Sequence, residues 1–451
     1  MKYFKFFFGN TYLIFAFFLF FLSLQNYLFC IAYTADTLNP WLVDQNGDYV
    51  LSRISFGFGQ YLEAIINNQK ISLDQFGFDL SSSRRPLLPY TLLFIYENFS
   101  TNFVLIHLIK NIALGSLIFY IIKTFKDNYN TVFLTCCLIF IFYIPHNAIT
   151  NLGTENEEGI LNYLIITLFF FLISNYKFKS IFLTVNLCLI FLLKGSMFLL
   201  VSLIPIIIIF TEKKLKFKYL PIIGVLLINV YWGFSNMQSS GFFAIGPKGS
   251  SMNAINLATV THKYFNITYP EIRPDIHLDL VEDKVNNEDI NNEKELIDIL
   301  LKDSNNFIIS NPKEYFIGVL KKIYVLSFSP FKDAQYPKDS EKYLDNLYKG
   351  KSVDNEKIQN PIRFSNFPNK ILFNISLILL FFSIYKFKNN SDFLRKIDIY
   401  YFFILLFYLA PYMFAWIYPR HATSLYILSH FYILIFVIER NYFSLGKFFK
   451  Y

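Results

Sequence analysis

Long apolar runs broken by polar loops constrain this chain more than any other feature of its sequence. The runs fall at 11–33, 101–123, 131–149, 159–175, 179–193, 196–211, 217–234, 370–386, 398–417 and 422–438. A run of about 20 apolar residues matches the hydrocarbon thickness of a bilayer. In lipid it must be helical, because its backbone polar groups find no water to bond. The expected fold is therefore all-α membrane: a polytopic bundle of about ten transmembrane helices. Composition agrees, with 54% hydrophobic and 16% charged residues among 451; soluble domains carry about a quarter charged. The first run outlasts the h-region of a signal peptide, so it is expected to remain as an uncleaved span. The pair 179–193 and 196–211 reads as two short helices meeting in a tight turn at Lys194 and Gly195.

Charge sets the expected orientation. Lys2/Lys5, Lys123/Lys126, Lys177/Lys179, the lysines at 213–218, those flanking Arg395 and the closing Arg440/Lys447/Lys450 fall on one side. The positive-inside rule makes that side cytoplasmic. The opposing loop 150–158 carries Glu155, Glu157 and Glu158 and no Lys or Arg. Both termini are then cytoplasmic, in a multi-pass protein of the inner (plasma) membrane.

The net charge of +8 does not imply nucleic acid, since the basic residues are scattered and form no stripe with aromatics. Cys30, Cys136, Cys137 and Cys188 all sit in apolar runs and suggest neither zinc nor disulfides.

Three regions are expected. Residues 1–234 form an N-terminal transmembrane module whose first outer loop, 34–100, carries the candidate chemistry. Residues 235–369 form a small extracytoplasmic subdomain, and 370–451 the C-terminal transmembrane helices. The subdomain is acidic, with eleven carboxylates against four Lys/Arg over 271–303. Asn311-Pro312 should start an amphipathic helix lying on the membrane surface.

Charges at the surface of a polytopic protein are functional candidates by default. Asp44 and Asp48 follow the first span, with Asp48 next to Tyr49. A carboxylate near an apolar face is a plausible general base, because desolvation raises its pKa toward neutrality. Both acids also read as helix caps facing water. Arg84, Arg85, Lys194, Arg420 and His421 all fall on the outer side. They could bind an anion there, or anchor helix ends at headgroups.

Several segments, in order, resemble the polytopic glycosyltransferases of the GT-C superfamily, particularly the family 39 protein mannosyltransferases. Asp48-Tyr49 in a long first loop is similar to their opening. Arg85-Pro86-Leu87-Leu88-Pro89-Tyr90 resembles their approach to the next helices. Thr154-Glu155-Asn156-Glu157-Glu158 is similar to an acidic site many members carry. Lys194-Gly195-Ser196 resembles a basic hairpin tip, Asn311-Pro312 through Tyr315 an amphipathic helix start, and Tyr418-Pro419-Arg420-His421 a closing motif. The acids stand four apart here, where members often have an adjacent pair. The closing segment lacks a Pro often found past the Arg.

The resemblance implies an inverting transfer of a hexose or pentose from a polyprenyl-phosphate donor to an acceptor on the outer face. Asp48, or else Asp44, would be the base. Arg84, Arg85, Lys194, Arg420 and His421 would bind the donor phosphate, with Tyr49, Glu155 and Glu158 lining the pocket. The acceptor is a glycan, lipid or protein. No cofactor or metal is expected, although a loop acid could assist a divalent cation. An O-antigen-type polymerase or ligase is the nearest alternative. A transporter or lipid flippase is more distant, because the chain lacks repeated halves.

Overall fold

The computed structural model describes residues 85–99, 154–174, 178–212, 215–261, 276–288, 290–328, 355–387, 395–415 and 423–440, with scattered positions between 67 and 82, between 112 and 121, and Tyr176. Apart from a hairpin of two-residue strands, β1 (Asp74–Gln75) and β2 (Phe78–Asp79), the regular elements are helices. In chain order they are α1 (Leu87–Phe99), α2 (Thr154–Ile173), α3 (Lys179–Leu193), α4 (Phe198–Thr211), α5 (Leu220–Ser240) and α6 (Ser251–Thr261). Then come α7 (Ile276–Glu288), α8 (Glu293–Ser310), α9 (Pro312–Phe328), α10 (Asn355–Phe387), α11 (Lys396–Phe414) and α12 (Thr423–Arg440).

Among the described residues, three helices are long and apolar enough to cross a membrane: Leu220–Ser240, Asn369–Lys386 and Lys396–Phe414. They mark a membrane protein. Four shorter apolar helices, Gly159–Ile173, Lys179–Leu193, Gly195–Thr211 and Ser424–Val437, occupy further expected spans. The expected spans 11–33 and 131–149, and most of 101–123, lie outside the described residues.

Helices α2, α3, α4, α10, α11 and α12 share one hydrophobic core. α3 packs along α5, α10 along α12, and α11 against α4. Several polar groups inside this core are bonded to one another, which offsets the cost of burying them in a low-dielectric interior. Tyr401 shares hydrogen bonds of 2.6 Å with Ser376 and 2.9 Å with Ser429. Its ring stacks 3.9 Å from Tyr432, whose hydroxyl donates to the fully buried Asp398 at 2.7 Å.

Ion pairs identify one end of the bundle. Glu212, after α4, accepts from Lys179 at 2.9 Å, from Lys396 at 3.0 Å and from the Tyr400 hydroxyl at 3.0 Å. The starts of α3 and α11 and the end of α4 therefore lie together. The opposite end holds the end of α3, the start of α4 and the end of α11.

A second core joins Leu80 of the first loop to α6, α7 and α8 through Ile255, Val281, Leu296 and Leu300. Glu293 is buried at this junction. It accepts from the Ser82 backbone N–H at 3.1 Å, the Ser82 hydroxyl at 2.7 Å and the Ser240 hydroxyl at 2.8 Å. The two long outer segments expected from sequence thus meet in one helical layer. α10 runs unbroken from Asn355 across 369/370.

Candidate functional site

Arg85 precedes α1 and is only 4% exposed. Its guanidinium lies between two aromatic faces, 4.5 Å from the Phe191 centroid on α3 and 4.3 Å from that of Trp232 on α5. Nε, Nη1 and Nη2 have no hydrogen-bond partner among the described residues. With both faces covered, only the in-plane N–H edges can take a ligand. Each desolvated cation–π contact returns about 2 kcal/mol, against several kcal/mol for burying an unpaired cation. The balance favours an anion at those edges. Burial lowers the Arg85 pKa to about 9, still high enough to hold the charge at neutral pH.

The surrounding backbone is shaped for this side chain. A Cβ on Gly195 would stand 3.2 Å from Arg85 Nε and 3.4 Å from the Ser250 Cβ. Gly195 therefore lets the α3–α4 turn approach the guanidinium. Trp232 is oriented by its indole N–H, which donates to the Gly249 carbonyl at 2.9 Å.

Lys194 ends α3 in extended conformation and opens a single 3-10 turn, Gly195–Met197. This is the tight turn expected between two short helices. The Lys194 ammonium sits 5.7 Å over the Tyr412 ring of α11. Ser196 shares a 3.4 Å hydrogen bond with the Tyr412 hydroxyl. Tyr408 packs one turn away, its ring 5.4 Å from Tyr412. Glu157, in the first turn of α2 and 7% exposed, acts electrostatically on both tyrosines. A carboxylate there also complements the positive end of α2.

The structure thus brings Arg85 and the Lys194 turn together, with Glu157 across Tyr408 and Tyr412. Asp44, Asp48, Tyr49, Arg84, Arg420 and His421 lie outside the described residues. Glu155 and Glu158 have their backbone in the first turn of α2, while their side chains lie outside the described set. Sequence reasoning did not single out Phe191, Trp232, Tyr408 or Tyr412, and chose Glu155 and Glu158 over the buried Glu157. Spacing held a partial signal for the tyrosines, since Tyr408 and Tyr412 are four apart on one helical face. Among the described residues, no group of three or more His, Cys, Asp or Glu is placed to hold a metal ion.

Below this site, α9 docks on the end of α11. Lys322 donates to the Met413 carbonyl at 3.2 Å and to that of Ala415, and the Tyr315 hydroxyl donates to Phe414 O. Burial lowers the Lys322 pKa to about 7 and raises that of Tyr315 to about 12. Set against known proteins, the chain matches no family model, no curated protein and no solved structure.

Proposed function

We propose that this protein is a membrane glycosyltransferase that moves a sugar from a polyprenyl-phosphate donor to an acceptor on the outer face of the membrane. The observation that carries the reading is Arg85, a buried cation beside the Lys194 turn whose N–H groups have no acceptor among the described residues. Its chemistry suits a phosphate, which a guanidinium can bind through two parallel hydrogen bonds. The apolar helices around it suit a donor with a lipid tail.

In the proposed reaction, an acceptor hydroxyl attacks the anomeric carbon from the face opposite the phosphate. The carbon–oxygen bond to phosphate breaks, and the configuration inverts. The acceptor proton passes to Asp48, or to Asp44. The leaving lipid phosphate gains negative charge, which Arg85 and Lys194 stabilise where that charge develops. Tyr412, packed against Tyr408, holds the turn that carries Lys194.

The test is turnover in proteoliposomes supplied with a series of polyprenyl-phosphate-linked sugars and a glycan acceptor. One sugar should be added per acceptor, with inversion. The double variant Asp44→Asn/Asp48→Asn should lose about a hundred-fold in rate while inserting normally. Full activity in that variant removes the base assignment. A ladder of polymer lengths in the wild-type product would favour a polymerase.

A further inference from the structure

Helix α9 carries two different faces. Phe316, Leu320 and Ile323 recur at helical spacing and are exposed. Tyr315, Val319 and Lys322 recur along the neighbouring face, with Val319 and Lys322 buried. Helix α9 packs on α10 and α11. Its polar inward groups reach the carbonyls of Met413, Phe414 and Ala415. Those are the final acceptors of α11, which lack partners within their own helix. Lys322 is only 5% exposed, so its ammonium meets the negative end of the α11 dipole with little screening by water.

The held helix end belongs to the candidate site. Tyr412 lies one residue before the first capped carbonyl, and it contacts both Ser196 and Lys194. Ser196 and Lys194 flank Gly195, against which Arg85 lies. A continuous set of contacts therefore runs from α9 through α11 to the turn beside the guanidinium. We infer that α9 is a strut for the anion site: Tyr315 and Lys322 act as positioning residues that fix the end of α11 and so seat Tyr412 and Lys194 around a lipid phosphate. This inference rests on the reading of Arg85 as a phosphate ligand. Neither strut residue touches the ligand.

Binding of farnesyl phosphate to the full chain tests the strut. Trp41→Phe and Trp416→Phe leave Trp232 as the single tryptophan, and Trp232 covers the Arg85 guanidinium. Quenching of its fluorescence then reports occupancy. Lys322→Met keeps the side-chain length and removes the donors; it should weaken binding about ten-fold. Tyr315→Phe should weaken it in the same direction, and Lys322→Arg should restore most of the affinity. Leu296→Ala lowers stability from within the second core and serves as the control; it should leave affinity unchanged. Wild-type affinity in Lys322→Met, or an equal loss in Leu296→Ala, overturns the strut. Arg85→Met separates the two ideas. If it abolishes binding while Lys322→Met does not, the phosphate site stands and the strut falls. If Arg85→Met binds as wild type does, or if the wild type does not bind, both fall.

Discussion

A guanidinium with two aromatic lids and no acceptor among the described residues is an incomplete structure by itself. Arg85 holds its place through contacts with Phe191 and Trp232, which restrain its plane and leave its edges for an anion. Glu212, at the other end of the bundle, shows the contrasting case of a charge whose partners are all supplied by the protein. Burial alone would raise its pKa, but the hydrogen bond and charge of Lys179, with those of Lys396, bring it below its ordinary value of 4.5. A carboxylate with a lowered folded-state pKa stabilises the fold above its unfolded pKa and loses that contribution as pH falls through the folded one. Glu212→Gln should therefore destabilise the protein by about 3 kcal/mol at pH 7, because it leaves the buried Lys179 without its counter-charge. Thermal melts of wild type and variant should converge as the pH drops below about 4. A gap that persists there would mean that Glu212 acts by packing.

At the scale of elements, α3 and α5 pack closely at Gly224. A Cβ on Gly224 would stand 2.4 Å from Thr184 Cγ2, and Thr184 is held by its hydroxyl bond to the Ser180 carbonyl at 2.7 Å. Gly224→Ala should cost about 1–3 kcal/mol through overpacking. Gly318 on α9 has open space where its Cβ would stand, so Gly318→Ala should be neutral or stabilise by up to about 1 kcal/mol. Melting temperatures of the two variants should move apart; a shared direction would contradict the packing of α3 on α5. Helices of this kind are legible in sequence because apolar length is a local property. The expected run 179–193 coincides with α3, and Lys194 with Gly195 form the turn anticipated there. Asn311-Pro312 marks the start of α9 for the same local reason, since Pro is favoured at the first helical position. The capping of α11 by Tyr315 and Lys322 was not legible, because the partners are 91 to 99 residues apart in sequence. The Arg85 lids were hidden for the same reason. Glu155, Glu157 and Glu158 are equivalent as charges in a string, and the burial of Glu157 comes from the fold.

For the whole molecule, the important fact is which ends meet. The Glu212 cluster gathers one set of helix ends, and Arg85, Lys194, Glu157 and Tyr412 gather at the other. The subdomain core of α6, α7 and α8 lies against that second end through Ser82, Ser240 and Glu293. The layer of α6, α7 and α8 and the Lys194 turn therefore adjoin, an arrangement that the proposed transfer between a lipid donor and an aqueous acceptor would use. The most direct measurement is the rate at which free polyprenyl phosphate is released from a polyprenyl-phosphate-linked hexose in proteoliposomes, comparing wild type with Arg85→Met. Wild type should release it only when acceptor is present, and Arg85→Met should be slower by about a hundred-fold at unchanged membrane insertion. Equal release by the two proteins would contradict the assignment of the buried guanidinium to the leaving phosphate.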